Sequence, residues 1–467
     1  MKAPLSKSAV FAALPPVWPG DLKPLIRQFP TEHQGHKLVI LDDDPTGTQT
    51  VHDLPVLTTW DREALCAEFG QPGPCFYILT NSRSLIAEEA KALNQEIAAN
   101  LCFAAGERSF TVVSRSDSTL RGHFPLETDV LTEELGPFDG TLIIPYFEAG
   151  GRYTIGDVHY VAEGDRLTPA SETPFAKDAV FGYENSNLCQ WVEEKTQGRV
   201  KAEDVASISL ETIRTGGPAA VCAQLLGLTK GSTCIVNAAA LSDMDVFALG
   251  LLQAEKAGRR YLIRAAAQIV SARLGLETRS LLNEEDVNAH QTNGGLILVG
   301  SYVPKTTEQL SHLLVHTNID RIELPVTALL DETQRGEVIT DALTKIHDAI
   351  RASRDIVVFT SRTLITGDDS ASNLSIGNCV SAALVTIVKE LEVCPRYLIA
   401  KGGITSSDIA TKGLGIKRGI VTGQLLPGVP VWRTGGETRF PGIAYIIFPG
   451  NVGTSTALTD SVNHLSK

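Results

Sequence analysis

The chain has 467 residues, 43% of them hydrophobic, and a formal net charge of -13 at pH 7. Its length exceeds one ordinary hydrophobic core and predicts about two to three domains. The acidic balance argues against nucleic acid or an anionic membrane as partner, because both favour a basic face. Eight scattered cysteines without CxxC or zinc-type spacing indicate reduced thiols. We find no signal peptide and no apolar run of about 18 residues, so we expect a cytoplasmic location.

The stretch 36–51, HKLVILDDDPTGTQTV, joins a buried-strand pattern to an acidic turn. The apolar run 38–41 is typical of a parallel strand buried on both faces. The acids after it, Asp42, Asp43 and Asp44, would then lie at the carboxyl end of a strand, where open α/β sheets bind ligands. Adjacent buried carboxylates repel one another, so they predict a donor, a metal or a proton nearby.

A proline-containing turn follows these acids. Its residues Thr46 and Gly47 would present a hydroxyl and an accessible backbone to a ligand. A plain polar loop that caps a helix is the simpler interpretation of this turn, and the sequence leaves it open.

A second strand pattern also ends in polar residues. Strands are predicted at 56–59, 75–80 and from 111, with a helix over 84–105, and this alternation indicates a parallel sheet. The segment after the strand from 111, 114–122, reads SRSDSTLRG. Its guanidinium, carboxylate and hydroxyl groups suit a polyhydroxylated acid; the candidates are Arg115, Asp117, Ser118, Thr119 and Arg121. A capped helix with one structural arginine–aspartate pair is the alternative.

Further arginines follow later strand patterns. Gly151 and Arg152 come after a predicted strand at 142–144, and Arg264 ends one at 261–264. Between them, 168–183 has little periodicity and predicts a long loop over the sheet edge, from which Lys177 and Asp178 could reach substrate.

The second half of the chain shows the same alternation of strand and helix patterns as the first half. The polar segment 281–293 predicts a domain boundary after residue 288, giving domains 1–288 and 289–467. Beyond it, glycine-containing turns follow strand patterns and could bind phosphate through backbone N–H groups. No Walker A sequence is present. The candidate residues are Ser301, Lys401, Gly402, Gly403, Ile404, Thr405, Gly428, Gly450, Asn451 and Gly453.

Taken together, the motifs resemble the four-carbon acid sugar kinase family. Its DDxTG and DSTxRG turns match residues 43–47 and 117–122, and its later GS, GGxT, PG and GxxG turns match 300–301, 402–405, 427–428 and 450–453. The chain departs from many members by having GGITS for GGETS and FPGNVG for a KSGxFG-like ending.

The resemblance implies a two-domain α/β fold with mostly parallel sheets flanked by helices and an active site in the interdomain cleft. The N-terminal domain would bind a tetronate or oxo-tetronate and the C-terminal domain ATP, with phosphorylation at the terminal O4 hydroxyl. It implies Asp43 or Asp44 as the base, and Arg115 and Arg121 as ligands of the carboxylate or phosphoryl group. Mg²⁺ would accompany ATP, its protein ligands are unknown, and a homodimer is left open.

Two other functions remain open at this point. Asp42, Asp44 and Thr46 also satisfy DxDxT, the signature of haloacid-dehalogenase-type phosphatases, in which the first aspartate is the nucleophile. That chemistry also needs a lysine and an acidic pair, for which Asp368 and Asp369 are candidates. The same residue types could instead form a catalytically silent sugar-acid-binding protein.

Overall fold

The computed structural model describes residues 5–32, 35–288, 292–362 and 370–465. The chain forms two compact units. The first comprises the chain up to Val51 together with Thr59–Thr278, and the second comprises His52–Thr58 and the chain from Arg279 onward. The boundary predicted after residue 288 therefore lies within the second unit, and the assignment of His52–Thr58 to that unit was not anticipated.

The elements alternate along much of the chain as the sequence predicts. The strands are β1 (Leu5–Ser6), β2 (Lys37–Asp42), β3 (Leu54–Leu57), β4 (Cys75–Leu79), β5 (Phe110–Arg115), β6 (Gly140–Ile144), β7 (Arg152–Ile155), β8 (Val158–Glu163), β9 (Arg166–Pro169), β10 (Ala206–Ile208), β11 (Ser232–Val236), β12 (Tyr261–Ala265), β13 (Leu296–Val299), β14 (Asp320–Leu324), β15 (Ile356–Thr360), β16 (Tyr397–Lys401), β17 (Arg418–Leu426), β18 (Val429–Thr434) and β19 (Ala444–Phe448).

The helices vary widely in length, from single turns to long sheet-covering segments. They are α1 (Lys7–Ala12), α2 (Lys23–Glu32), α3 (Arg62–Phe69), α4 (Ala87–Ala105), α5 (Leu126–Leu135), α6 (Leu188–Lys195), α7 (Gly217–Leu226), α8 (Leu241–Lys256), α9 (Gln268–Arg273), α10 (Glu284–Asn288), α11 (Pro304–His316), α12 (Val326–Leu330), α13 (Glu332–Arg351), α14 (Ser370–Glu390), α15 (Gly403–Asp408) and α16 (Ala457–Leu465). Among the described residues, no helix is both long and apolar enough to cross a membrane.

The first unit is built on a parallel sheet with the strand order β10-β11-β6-β12-β5-β2-β4. Strand β2 lies between β5 and β4 and is buried at every position, which explains the continuous apolar run in the sequence. Asp42, the last residue of β2, pairs in register with Arg115, the last residue of β5. The polar residues that follow both strands therefore meet at one sheet edge.

A small antiparallel sheet with the order β1-β9-β8-β7 completes the first unit. It contains the start of the segment predicted as a long loop, because β9 extends to Pro169. Short 3₁₀ turns follow over Ala170–Glu172 and Pro174–Lys177. The Tyr183 hydroxyl then donates to the Thr119 carbonyl oxygen at 2.8 Å, so this segment supports the DSTLRG turn.

The second unit has a mixed sheet with the order β3-β17-β18-β19-β16-β13-β15-β14. The strands from β19 to β14 are parallel, whereas β17 and β18 form an antiparallel hairpin and β3 pairs antiparallel with β17. The glycine- and proline-rich C-terminal segment thus supplies a hairpin and the parallel strand β19. With the first unit, this confirms the predicted α/β class with two domains and mostly parallel sheets flanked by helices.

Candidate active site

Asp42 lies beneath the acidic turn of the first unit. Its carboxylate is 1% exposed, and its Oδ1 is 2.9 Å from Nη1 of Arg115. A Cβ at Gly47 would overlap this carboxylate, so the turn passes too closely over Asp42 for any side chain there. Burial raises the pKa of Asp42 to about 7, although the Arg115 charge opposes this shift.

Asp43 is held by Arg83 through both carboxylate oxygens. Nη2 of Arg83 is 2.6 Å from Oδ1, and Nε is 3.1 Å from Oδ2. Burial raises the pKa of the Asp43 carboxyl, and the charge of Arg83 opposes that shift. Both carboxylate oxygens of Asp43 are thus engaged by Arg83, and the side chain is only 2% exposed.

Asp44 is the most accessible of the three acids, with a side chain 22% exposed. Its Oδ1 caps a 3₁₀ turn, Pro45–Thr50, by accepting from the backbone N–H of Thr46 at 2.8 Å and from its hydroxyl at 2.5 Å. Burial alone would raise the pKa of Asp44, but Arg83 and Arg115 and the bonds from Thr46 bring it below its usual value. Asp44 is therefore a carboxylate at neutral pH.

The DSTLRG turn brings a fourth acid to the same edge. Asp117 accepts from Nε of Arg121 at 2.8 Å and from the Thr119 hydroxyl, and its Oδ1 is 3.9 Å from Nη1 of Arg83. Burial acts to raise the pKa of Asp117, but the two arginines hold it well below the usual range. Asp117 is therefore also ionised.

This turn has an unusual backbone. Leu120 has a φ of 69° and Gly122 a φ of 124°. A Cβ at Gly122 would lie 2.8 Å from Nη2 of Arg264 and 3.2 Å from Oδ2 of Asp43. Glycine is thus needed for the close approach of the two turns. Ser118 lies in the same turn, where its carbonyl oxygen is 2.8 Å from Nε2 of His159.

The two arginines predicted at later strand ends have different surroundings. Arg264 is 5% exposed, donates to the Ser114 hydroxyl at 2.8 Å and pairs with Glu127, so it underlies the site. Arg152 follows Gly151, whose φ is 71°, and its guanidinium lies 5.3 Å from the ring centre of Phe175.

Arg121 approaches the same Phe175 ring, at 5.2 Å from its centre, so Arg121 and Arg152 share one aromatic neighbour. Asp178 Oδ2 lies 3.9 Å from Nη1 of Arg121. Burial lowers the pKa of Arg152. The arrangement presents two guanidinium groups in one place, which suits recognition of a carboxylate.

In the second unit, three predicted turns converge at the carboxyl ends of β13, β16 and β19. A Cβ at Gly402 would be 3.0 Å from Cβ of Ser301, and one at Gly450 would be 3.4 Å from Oγ of Ser301. The Thr306 hydroxyl donates to the Gly450 carbonyl oxygen at 3.0 Å. Gly300 is equally confined, because its Cβ would be 2.5 Å from Oγ1 of Thr405. Backbone turns this close together fit a phosphate chain bound through main-chain groups.

Lys401, the last residue of β16, is completely buried and binds the backbone of the turn at Gly450. Its Nζ donates to the carbonyl oxygens of Pro449, at 2.5 Å, and Gly450, at 3.2 Å, and it lies 4.1 Å from the ring centre of Phe448. Burial lowers the pKa of Lys401 to about 7. Its direct contacts are thus with the turn around Gly450.

The remaining nucleotide candidates lie around the same sheet edge. Gly403, Ile404 and Thr405 form the first turn of α15, where Ile404 is 58% exposed. Gln309 donates to the carbonyl oxygens of Val452 and Thr454, at 2.9 and 2.7 Å, and so holds the turn containing Asn451 and Gly453. Val431 pairs with Ile446 in antiparallel register, which brings the hairpin turn at Gly428 to the edge where β19 ends.

Two protein-family models match the chain, the first over the part that contains the acidic turn and the second over the part that contains the glycine turns. The model described as "Sugar-binding N-terminal domain" matches residues 38–273, and the model described as "Nucleotide-binding C-terminal domain" matches residues 296–458. The chain belongs to the four-carbon acid sugar kinase family.

Curated members of this kinase family are similar over most of their length. The chain is 26% identical to D-erythronate kinase of Heliobacterium modesticaldum over 402 residues, covering 84% of this chain and 83% of that protein. It is 24% identical to 3-oxo-tetronate kinase of Methylobacterium radiotolerans over 380 residues, covering 77% and 82%.

Solved structures share the fold of this four-carbon acid sugar kinase family member. A Salmonella typhimurium LT2 protein, named as a candidate tRNA synthase, has a TM-score of 0.67 at 18% identity and covers 91% of this chain and 98% of its own. A Haemophilus influenzae protein has a TM-score of 0.63 at 18% identity and covers 91% and 100%. At this identity the likeness concerns the fold alone.

The sequence analysis missed three residues that lie at the candidate site of this family member: Arg83, Glu127 and Phe175. Arg83 comes shortly after β4, so the signal that identified Arg115, a charged residue at a strand end, was present. Glu127 lies in the first turn of α5 and is 3% exposed, and the sequence carries no sign of that burial. Phe175 is placed by the fold of a segment whose sequence has no periodicity.

No group of three or more His, Cys, Asp or Glu side chains that could hold a metal ion occurs in the described ranges. Asp368 and Asp369, the acidic pair that a phosphatase would need, lie outside those ranges.

Proposed function

We propose that the protein is an ATP-dependent kinase that phosphorylates a four-carbon sugar acid, a tetronate or an oxo-tetronate, at its terminal O4 hydroxyl. The observation that carries this proposal is the ionised, part-exposed Asp44 beside Arg83 and Asp117, at an edge where two strand ends meet in register. The names of the two curated relatives support the substrate class.

Recognition of the acid is assigned to the DSTLRG turn and its neighbours. Arg121 and Arg152, on the shared ring of Phe175, would bind the carboxylate. Asp117 and the hydroxyls of Ser118 and Thr119 would bind the sugar hydroxyls. The buried Arg115 and Arg264 would support the site without contacting the acid, because Arg115 pairs with Asp42 and Arg264 pairs with Glu127.

Asp44 is the group that we assign as the base. In phosphoryl transfer the acceptor hydroxyl loses its proton late, because the transition state is loose, so a carboxylate of lowered pKa can accept it. Asp43 cannot easily do so, since Arg83 engages both of its oxygens. We therefore assign Asp43 to positioning Arg83, which stands within 3.6 Å of Asp44.

The turns of the second unit are assigned to ATP. Ser301, Gly402 to Thr405, Gly428 and 450–453 would contact the nucleotide largely through their backbone, and Lys401 would hold the Gly450 turn in shape. Mg²⁺ that accompanies ATP neutralises phosphate charge and commonly takes only one or two protein carboxylates. The placement of the active site between the domains stays a prediction.

The position of Asp42 weighs against the phosphatase alternative. A nucleophilic aspartate must reach phosphorus, but Asp42 is 1% exposed and covered by the backbone at Gly47. A silent sugar-acid-binding protein would need the first site but would have no use for the nucleotide turns of the second unit.

The test is ADP release by the purified protein with ATP and Mg²⁺ across tetronates, oxo-tetronates and longer aldonates. ADP release stimulated by one four-carbon acid, and by none of the longer aldonates to the same degree, supports the proposal. Binding of such an acid without ADP release would indicate the silent binding protein, and phosphate release from sugar phosphates without ATP would indicate the phosphatase.

A further inference from the structure

A cavity of about 240 Å³ lies in the first unit, at the sheet edge opposite the acidic turn. Its lining includes residues at the starts of three adjacent strands: Leu38 of β2, Phe110 of β5 and Tyr261 of β12. The candidate active site lies at the carboxyl ends of the same strands. The length of a strand, about 15 Å, therefore separates the cavity from that site.

The cavity wall is largely apolar and aromatic. Phe110, Phe138 and Tyr261 contribute rings, and Leu38 and Leu252 contribute aliphatic surface. Concave sites with an apolar wall and a few polar groups are typical of small-molecule binding, commonly with volumes of about 300–1,000 Å³ for drug-sized ligands. This cavity suits a smaller molecule with an aromatic or aliphatic body.

The charges around the cavity have the opposite sign to the chain as a whole. Four basic side chains line it, Lys256, Arg259, Arg260 and Arg273, against the single carboxylate of Glu255. The whole chain carries a net charge of -13. A local excess of positive charge in an acidic protein selects for an anionic ligand.

Contacts within the protein do not neutralise all of this charge. Arg273 pairs with Glu255 at 2.5 Å and Arg259 with Asp139 at 2.7 Å. Arg260 instead donates to the carbonyl oxygens of Leu135 and Pro137, at 3.0 and 3.5 Å, which leaves its charge in place.

Arg273 adds an unused donor to this charge. The residue is 5% exposed, and its Nη1 has no hydrogen-bond partner among the residues that the structure describes. Buried donors without an acceptor are rare and unfavourable. A ligand that supplies an acceptor to this donor would therefore gain binding free energy.

We propose that this cavity binds a small organic carboxylate with an aromatic body, and that this site is distinct from the one assigned to the sugar acid. The ring would pack against Phe138 and Tyr261, and the carboxylate would face Arg260 and Arg273. The inference is independent of the proposed kinase activity, because it concerns binding at the other edge of the sheet.

The test uses phenylacetate as the probe and phenylacetamide as its neutral counterpart, with affinities measured by isothermal titration calorimetry on the full chain. Arg260→Gln removes the uncompensated charge, and Leu252→Trp fills the apolar part of the cavity. Arg166→Gln is the matched control, because it makes the same change at an exposed residue of β9. Circular dichroism and urea unfolding establish that each variant is folded.

We expect saturable binding of phenylacetate, at least about tenfold weaker binding of phenylacetamide, and a similar loss in Arg260→Gln, as for one charge-assisted contact. Leu252→Trp should abolish binding and Arg166→Gln should leave it unchanged. The proposal is overturned by a lack of saturable binding to the wild type, by equal affinity for the amide, or by unchanged affinity in Arg260→Gln. If Leu252→Trp does not fold, the comparison of Arg260→Gln with Arg166→Gln still decides whether the cavity binds phenylacetate.

Discussion

Arg83 grips Asp43 with two parallel hydrogen bonds, from Nη2 to Oδ1 at 2.6 Å and from Nε to Oδ2 at 3.1 Å. The carboxylate is almost completely buried, whereas Arg83 is 18% exposed and also approaches Asp44 and Asp117. Arg83 therefore links three carboxylates of two different turns. Its planar fork cannot be reproduced by the single ammonium group of a lysine.

Replacement of Arg83 should destabilise the first unit. Arg83→Gln removes the bidentate partner of the buried Asp43 and leaves it the longer contact with Nη1 of Arg115 at 3.5 Å, so we expect a loss of about 3 kcal/mol in the free energy of unfolding. Arg83→Lys should lose less, since it keeps the charge. Urea unfolding measures both, with Arg62→Gln as the control, because Arg62 is an exposed arginine bonded to Asn100. Equal stability of Arg83→Gln and the control would contradict this role.

Replacement of Asp44 should affect turnover much more than folding. Asn is as good a helix N-cap as Asp, so Asp44→Asn keeps the turn that Asp44 caps while removing the base. We expect kcat to fall by about 10²–10⁴ with a small change in KM for the acid. Asp61→Asn, the same change at the N-cap of α3, is the control and should retain activity. A fully active Asp44→Asn enzyme would mean that another group accepts the proton.

Asp42 should give stability a particular dependence on pH. Its folded-state pKa of about 7 lies above the value of about 3.9 expected in the unfolded chain, so the folded protein binds more protons between these values. The contribution of Asp42 to stability therefore falls as pH rises from about 4 to about 7. Asn cannot titrate, so the unfolding free energy of the wild type minus that of Asp42→Asn should decrease across this window.

The matched comparison is Asp44→Asn, because the pKa of Asp44 is shifted in the other direction. The contribution of Asp44 is present above its unfolded pKa and is lost as pH falls through its lowered folded value. Urea titrations from acidic to neutral pH distinguish the two. The prediction concerns the unfolding free energy of the wild type minus that of Asp42→Asn. If this difference stays flat or rises between about pH 4 and 7, Asp42 is ionised in the folded protein throughout that range.

Replacement of Lys401 should weaken ATP binding without unfolding the second unit. Lys401→Met has a similar volume and avoids burying an amine, but it releases the carbonyl oxygens of Pro449 and Gly450. We expect KM for ATP to rise at least about tenfold, as for the loss of a charge-assisted bond. Lys412→Met is the control, since the side chain of Lys412 is 64% exposed and pairs with Asp408 within one helical turn of the chain. An unchanged KM for ATP would remove Lys401 from the nucleotide site.

The sequence predicted the sheets well where strands are buried on both faces. In β2 and β5 an apolar run ends in charged residues, so both the strand and the location of its ligand edge could be inferred. The small sheet of β7, β8 and β9 was not predicted, because β7 and β9 have only four residues each and one of the two buried positions of β8 holds a polar residue, His159.

The candidate site was predicted as a set of residues but not as a network. The pairing of Arg83 with Asp43 joins positions 40 residues apart, and Glu127 meets Arg264 across 137 residues. Such partners follow from strand register and helix packing, which local patterns do not encode. For the same reason the sequence could not distinguish Asp42, beneath Gly47, from the more accessible Asp44.

The fate of the γ-phosphoryl group of ATP decides whether the protein is a sugar-acid kinase. ³¹P nuclear magnetic resonance of a reaction containing ATP, Mg²⁺ and the four-carbon acid that best stimulates ADP release would follow it. Kinase activity at O4 predicts ADP together with a phosphomonoester whose phosphorus couples to the protons of the terminal carbon. Inorganic phosphate as the only new phosphorus product, with the acid unchanged, would contradict it.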